Sequence, residues 1–173
     1  MTDTTSGALP GLRGGSFTVS PAGSRIGFST RNLIGMTAAG EFQDFRADIQ
    51  VGAGPADSAI GVTVVMSSVN TKSKMRDRDL QKKKIFNSAT RPEMDFSSTG
   101  ITAAGDAVTI TGLLTVRDQT RRITLAGRYT GTTPGGGHGF EVGGVVNPRD
   151  FGITHPAIKK PVTIQITAGL VPA

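Results

Sequence analysis

Strict alternation of apolar and polar side chains recurs along this chain and leaves few folds open to it. "FRADIQV" sets Phe45, Ala47, Ile49 and Val51 on one face, and "IGVTVVM" does the same with Ile60, Val62, Val64 and Met66. "VTITGLLTV" aligns Val108, Ile110, Leu114 and Val116 against Thr109, Thr111 and Thr115. "FTVS", "RIGFST", "ITLAGRY", "FEVGGVV" and "VTIQITAGL" repeat the pattern with Phe17, Val19, Ile26, Phe28, Ile123, Leu125, Tyr129, Phe140, Val142, Val162, Ile164 and Ile166. A period of two is that of a strand with one buried face. Breakers such as "GAGPADS", "AAGD", "TTPGGGHG" and "NPRD" separate the runs, giving about eight or nine strands at the spacing of an antiparallel meander. The expected fold class is therefore all-β, a closed up-and-down barrel or a sandwich. A barrel of about eight strands has an interior wide enough for side chains or for one elongated ligand, and periodicity does not separate the two.

The 173 residues suffice for one domain, expected over 15–173, with residues 1–14 as a disordered tail and "TPGGGHG" as a mobile loop. One interruption reads as helical. Ser73 is placed to cap a short helix running through Lys84, with Asp77/Gln81 and Asp79/Lys83 spaced i,i+4. Lys82, Lys83 and Lys84 would then occupy its last turn, where cations suit the helix dipole. Met75, Leu80, Ile85 and Phe86 make a poor apolar stripe, which predicts a partly exposed lid in place of a core helix. From Lys72 to Lys84 seven basic side chains stand against two acidic ones, so this segment's +5 is nearly all of the chain's +6. The excess charge is thus a local patch and not a coat over the whole surface.

The usual signatures of catalysis and metal binding are weak. No cysteine is present, which removes disulfides, thiol catalysis and thiolate zinc sites. His138 in the Gly-rich loop and His155 before Pro156 share no ligand spacing, so no metal is expected. Ser67 and Ser68 lack a neighbouring histidine and an elbow sequence for a hydrolase. "PGGGHG" lacks the Lys-Ser/Thr and strand-to-helix context of a phosphate-binding loop. Asp77 and Asp79 face apart on a helix and read as charge balance. No aromatic side chain interleaves the basic run to stack bases, so nucleic acid is not an expected partner. Neither a signal peptide nor an apolar run of membrane-spanning length is visible, which makes a cytoplasmic location the expectation.

Four collinear segments carry a family resemblance. They are "GEFQDFRADIQV", "VVMSSVNTKSKMRDRDL", "IFNSATRPEMDFSST" and "ITGLLTVRDQTRRITLAGRYTG", with "NPRDFGI" following at Arg149 to Gly152. In order and spacing these resemble the YceI-like family of lipid-binding proteins, from about Gly15 to Leu170. The resemblance implies a lipocalin-like antiparallel β-barrel with one short helical insertion. It implies binding, storage or transport of a polyisoprenoid, isoprenoid-quinone-like or similar amphiphilic lipid in the lumen, with no catalytic residues and no cofactor. An enzyme of isoprenoid metabolism using the same lumen and a basic interaction module with a filled core are the alternatives. Two features depart from the family pattern: Phe17 stands where Trp is frequent, and "QKKK" at Gln81 to Lys84 replaces more neutral residues.

The inward positions of the alternating runs supply the candidate ligand contacts: Phe28, Phe45, Ile49, Val62, Val64, Met66, Met94, Phe96, Leu114, Val116, Ile123 and Phe140. Large, adaptable side chains such as Met and Phe suit an irregular apolar guest. A charged head group would need cations at the mouth, because a buried unpaired charge is costly. Lys82, Lys83, Lys84 and Arg91 are the candidates for that role, or for transient contact with an anionic membrane surface. A solvated face with no partner is the plainer account of the same charges. A homodimer is left open.

Overall fold

The computed structural model describes residues 14–31, 37–134, 136–155, 158 and 160–173, so the tail expected over 1–14 lies outside it apart from Gly14. Its strands are β1 (Gly15–Val19), β2 (Arg25–Arg31), β3 (Thr37–Phe42), β4 (Phe45–Val51), β5 (Ala59–Val65), β6 (Val69–Asn70), β7 (Glu93–Ala104), β8 (Ala107–Val116), β9 (Gln119–Thr132), β10 (His138–Val146) and β11 (Val162–Pro172). Among the described residues a single α-helix, α1 (Lys74–Leu80), lies between β6 and β7.

All pairings are antiparallel, and eight strands close a ring in the order β1-β4-β5-β7-β8-β9-β10-β11, with β11 returning to β1. The three remaining strands are continuations of ring strands. β1 and β2 lie along the same edge of β11, at Phe17↔Pro172 and Ile26↔Ile166. β4 and β3 face them in turn, and β5 and β6 face those. Short breaks at 20–24, at 43–44 and at the 3-10 turn Met66–Ser68 bend these three walls. Among the described residues the result is an eight-strand closed antiparallel β-barrel with one short helix, in which each ring strand pairs with a neighbour on both sides over at least part of its length.

Alternation becomes geometry most clearly on β8. Val108, Ile110, Leu114 and Val116 are buried, while Ala107, Thr109 and Leu113 are exposed. The main core gathers Phe42, Val64, Met66, Val69, Phe96, Ile110, Leu114, Val116, Leu125 and Phe151. β7 joins β8 through a two-residue turn, closed by Ala104↔Ala107, in which Gly105 takes a φ of 62° that disfavours side chains. Gly112 has another role. Its missing side chain is the space in which the Phe96 ring lies across the barrel wall: a Cβ there would meet Ser97 O at 2.6 Å and Phe96 Cε1 at 2.7 Å.

Three expectations need correction. The helix stops at Leu80, with Gln81 as its C-cap, and Lys82, Lys83 and Lys84 lie in the turns that follow. Their charge therefore does not act on a last helical turn. Asp79 pairs with Lys82 at 2.9 Å and not with Lys83, while Gln81 Nε2 donates to Met66 O at 3.0 Å. The Ser73 cap is present, its side chain accepting from the Arg76 N–H. His138 is not in a loop: it opens β10, is buried, and its Nδ1 sits 2.8 Å from the Tyr129 hydroxyl. Burial also pushes the Tyr129 phenol above its usual pKa. Of "TPGGGHG", Gly135 lies outside the described residues.

Replacing Gly112 by Ala is expected to displace Phe96 and destabilise the barrel by about 1–3 kcal/mol, the usual range for overpacking a core. Denaturant melts of the two proteins measure this directly.

Candidate functional site: an apolar lumen with a cationic mouth

The inward side chains do not fill the barrel. At the end carrying α1 they enclose a cavity of about 790 Å³, within the roughly 300–1,000 Å³ range of small-molecule sites. Towards the other end of the barrel, beside the β4–β5 connection, lies a second, inner space of about 180 Å³. Ile26 borders both.

The walls of the inner space are almost wholly apolar and include Phe45, Ile49, Val62, Phe96 and Phe140 of the expected contacts. The outer cavity is lined by Phe28, Met66, Met94, Leu114 and Val116 from the same set. Two expected contacts stand apart from both linings. Val64 is packed into the core, flanked in register by Phe45 and Met94. Ile123 lies opposite Gly112 and packs against the core cluster. Both pack with the core as the alternation requires, yet neither lines the open space.

Several lining residues were not singled out from the sequence. Val162, Ile164 and Ile166 carry a visible alternation and could have been chosen on it. Phe42, Phe86, Phe151 and Ile153 could not, because they come from strand ends and turns where period two does not apply. Phe28, Phe42 and Phe86 form a chain of tilted rings, with centroids 5.4 and 6.1 Å apart, on one side of the outer cavity.

The strap that follows α1 borders this cavity with Lys82, Lys83, Lys84, Ile85 and Phe86. The apolar pair turns inward, with Ile85 buried and Phe86 half-buried, while the three lysines stay exposed. Arg117 holds the strap in place. Its Nη1 donates to Lys83 O at 2.8 Å and to Ile85 O at 2.7 Å, from a residue whose φ of 60° is unusual for a side chain of this size. Arg91 bonds to Asp118 at 2.7 Å, so both clamps reach the same β8–β9 turn. Arg91 is thus part of the fastening and does not line the cavity, unlike the three lysines with which the sequence grouped it.

At the other end of the insertion, Asp77 Oδ1 accepts from the Thr71 N–H at 2.8 Å and from its hydroxyl at 2.6 Å. Arg76 Nε donates to the same hydroxyl at 3.0 Å. These bonds make Asp77 a structural anchor of the helix and turn its charge away from solvent. His155 also borders the outer cavity. Among the described residues no group of three or more His, Asp or Glu side chains is arranged to hold a metal ion.

The fold and site together define a small closed barrel with an unfilled apolar interior, bordered at one end by Lys82, Lys83 and Lys84. The chain belongs to the YceI-like family: the model of the YceI-like domain matches residues 17–170. A UPF0312 protein of Photorhabdus laumondii is 32% identical over 131 residues, covering 73% of this chain and 68% of that protein. A UPF0312 protein of Yersinia pestis is 34% identical over 120 residues, covering 66% of this chain and 62% of that protein. The chain therefore spans about two thirds of the length of these relatives. Among solved structures, Burkholderia cenocepacia BcnA shares the fold with a TM-score of 0.74 at 22% identity, over 90% of this chain and 99% of that one. A polyisoprenoid binding domain from Saccharophagus degradans does so with a TM-score of 0.69 at 11% identity, over 91% of this chain and 98% of that one.

Removing the Arg117 clamp by Arg117→Ala should leave the barrel folded and loosen the strap. Amide hydrogen exchange at 82–86 is expected to quicken by about tenfold or more, while β8 and β9 keep their protection.

Proposed function

We propose that this protein binds a long-chain isoprenoid or similar amphiphilic lipid inside its barrel and carries or stores it without transforming it. The observation that carries this reading is the unfilled lumen, an outer cavity of about 790 Å³ and a smaller one beyond it, both walled by Ile, Val, Phe and Leu, with Met added in the larger. Empty apolar space forfeits dispersion contacts that a greasy guest restores. A barrel whose own side chains met across the axis would leave no such room.

Support also comes from the family to which the chain belongs and from the polyisoprenoid binding domain that shares its fold. The stacking of two spaces along the axis favours an elongated guest over a compact one. The polar groups at the helix end suit a head group held near solvent, with the tail directed inward. Nothing in this reading asks the walls for acid–base or nucleophilic chemistry, since they are almost entirely hydrocarbon.

Organic extraction of the purified protein, followed by mass spectrometry, is expected to release a stoichiometric long-chain lipid. Absence of any such lipid, together with failure to take up an apolar fluorescent probe, would sink the reading. Two substitutions sharpen the test. Leu114→Asp places a carboxylate in the wall of the outer cavity and should reduce probe affinity by a factor of ten or more. Ala47→Phe partly fills the inner space while keeping the wall apolar, so it should shift the bound population toward shorter tails and leave the fold intact. An unchanged tail-length distribution would mean that the guest does not reach the inner space.

A further inference from the structure

We propose that the lid face around the lumen mouth docks on an anionic lipid bilayer, with Met75 as its apolar anchor and the strap lysines as its charge contacts. The inference rests on the reading of the lumen as a lipid site, and names the surface from which that site would exchange its guest.

Met75 is 73% exposed. Leu113, at 39%, and Val145, at 64%, are the other exposed large apolar side chains among the described residues, and they lie on wall strands β8 and β10. Of the three, Met75 alone borders the outer cavity. Exposed cations surround it in the chain: Lys72, Lys74 and Arg78 beside it, and Lys82, Lys83 and Lys84 across the mouth.

The two acidic residues of the insertion cancel only part of this field, since seven basic side chains stand against them over 72–84. Asp77 is turned onto Thr71, and Asp79 is taken up by Lys82. Lys72, Lys74, Arg78, Lys83 and Lys84 make no ion pair among the described residues. An exposed apolar side chain ringed by cations matches the boundary of a bilayer with anionic head groups: the cations meet the head groups while the thioether reaches the acyl edge. Docking there would place the apolar cavity against the bilayer from which a lipid must leave. A nucleic acid fits less well, since the face offers it no exposed aromatic ring.

The full chain is to be sedimented with vesicles of phosphatidylcholine containing about one-third phosphatidylglycerol, and with vesicles of phosphatidylcholine alone. Binding is expected to the first and not to the second, and to be lost near 1 M salt, where the screening length falls to about 3 Å. Each basic side chain near such a surface contributes roughly fivefold, so Lys82→Gln/Lys83→Gln/Lys84→Gln should weaken binding on the order of a hundredfold. Met75→Ser should weaken it by about tenfold, with little dependence on salt. The double variant Arg122→Gln/Arg128→Gln, on the outward face of β9, should bind as the parent does.

Indifference to phosphatidylglycerol, an undiminished triple-lysine variant, an equal loss in the β9 variant, or equally tight binding of a DNA duplex would each overturn the proposal. Uptake of an apolar probe in vesicle-free buffer is measured in parallel. Vesicle binding with this pattern but no probe uptake upholds the docking face and removes the lumen reading. Probe uptake without vesicle binding removes the docking face alone.

Discussion

Pairing of the first strand with the last determines the rest of this molecule. Phe17, Thr18 and Val19 meet Pro172, Val171 and Leu170, and through these few residues a twisted meander becomes a tube. Closure gives every ring strand a neighbour on each side, so most of the backbone's polar groups pair within the sheet. It also sets a circumference. Eight strands hold their inward side chains on a ring whose centre those side chains do not everywhere reach, and the space left over is the lumen. An open sandwich of the same strands could have slid its two faces together until they touched. A closed ring cannot, because shrinking it would break ladder hydrogen bonds.

The insertion between β6 and β7 is the complement of that ring. It stands at one mouth of the tube and is attached by specific polar bonds more than by buried surface. Asp77 and Arg76 converge on Thr71 at its start, while Arg117 and the Arg91–Asp118 pair fasten its end to the β8–β9 turn. Such fastening leaves Ile85 and Phe86 to the cavity and the lysines to water. The exposed Arg91–Asp118 pair contributes little to stability by itself, so its importance is positional. A lid held by a few hydrogen bonds can open locally at much lower cost than the barrel.

Much of this was legible in the chain, and the misses have physical causes. Every long run of period-two alternation became a wall strand, because one-sided burial is the only arrangement that satisfies such a pattern. "TAAGEF" escaped notice because its residues are small: Gly40 must be bare where the Phe28 ring and Thr71 approach it, so β3 shows little apolar contrast. The helix ended early because Gln81 caps it and turns its amide onto Met66 O, a tertiary bond no local spacing encodes. His138 sits among glycines in sequence, yet strand pairing beside Thr132 and Leu170 buries it against Tyr129. The basic run divided for a similar reason, with Arg91 drawn to Asp118 across a fold that brings distant turns together.

By itself the sequence determined which side chains face in, that the strands form an antiparallel meander, and that the excess positive charge is gathered in one segment. Those properties are local, written in neighbours two apart or in one short run. Only the tertiary structure decided that the inward faces fail to meet, that Val64 and Ile123 join the core without lining the cavity, and that the lysines border its mouth. These depend on where the ring closes and on which distant residue each polar group finds. Closure distance and long-range pairing are sums over the whole chain, and no window of residues contains them.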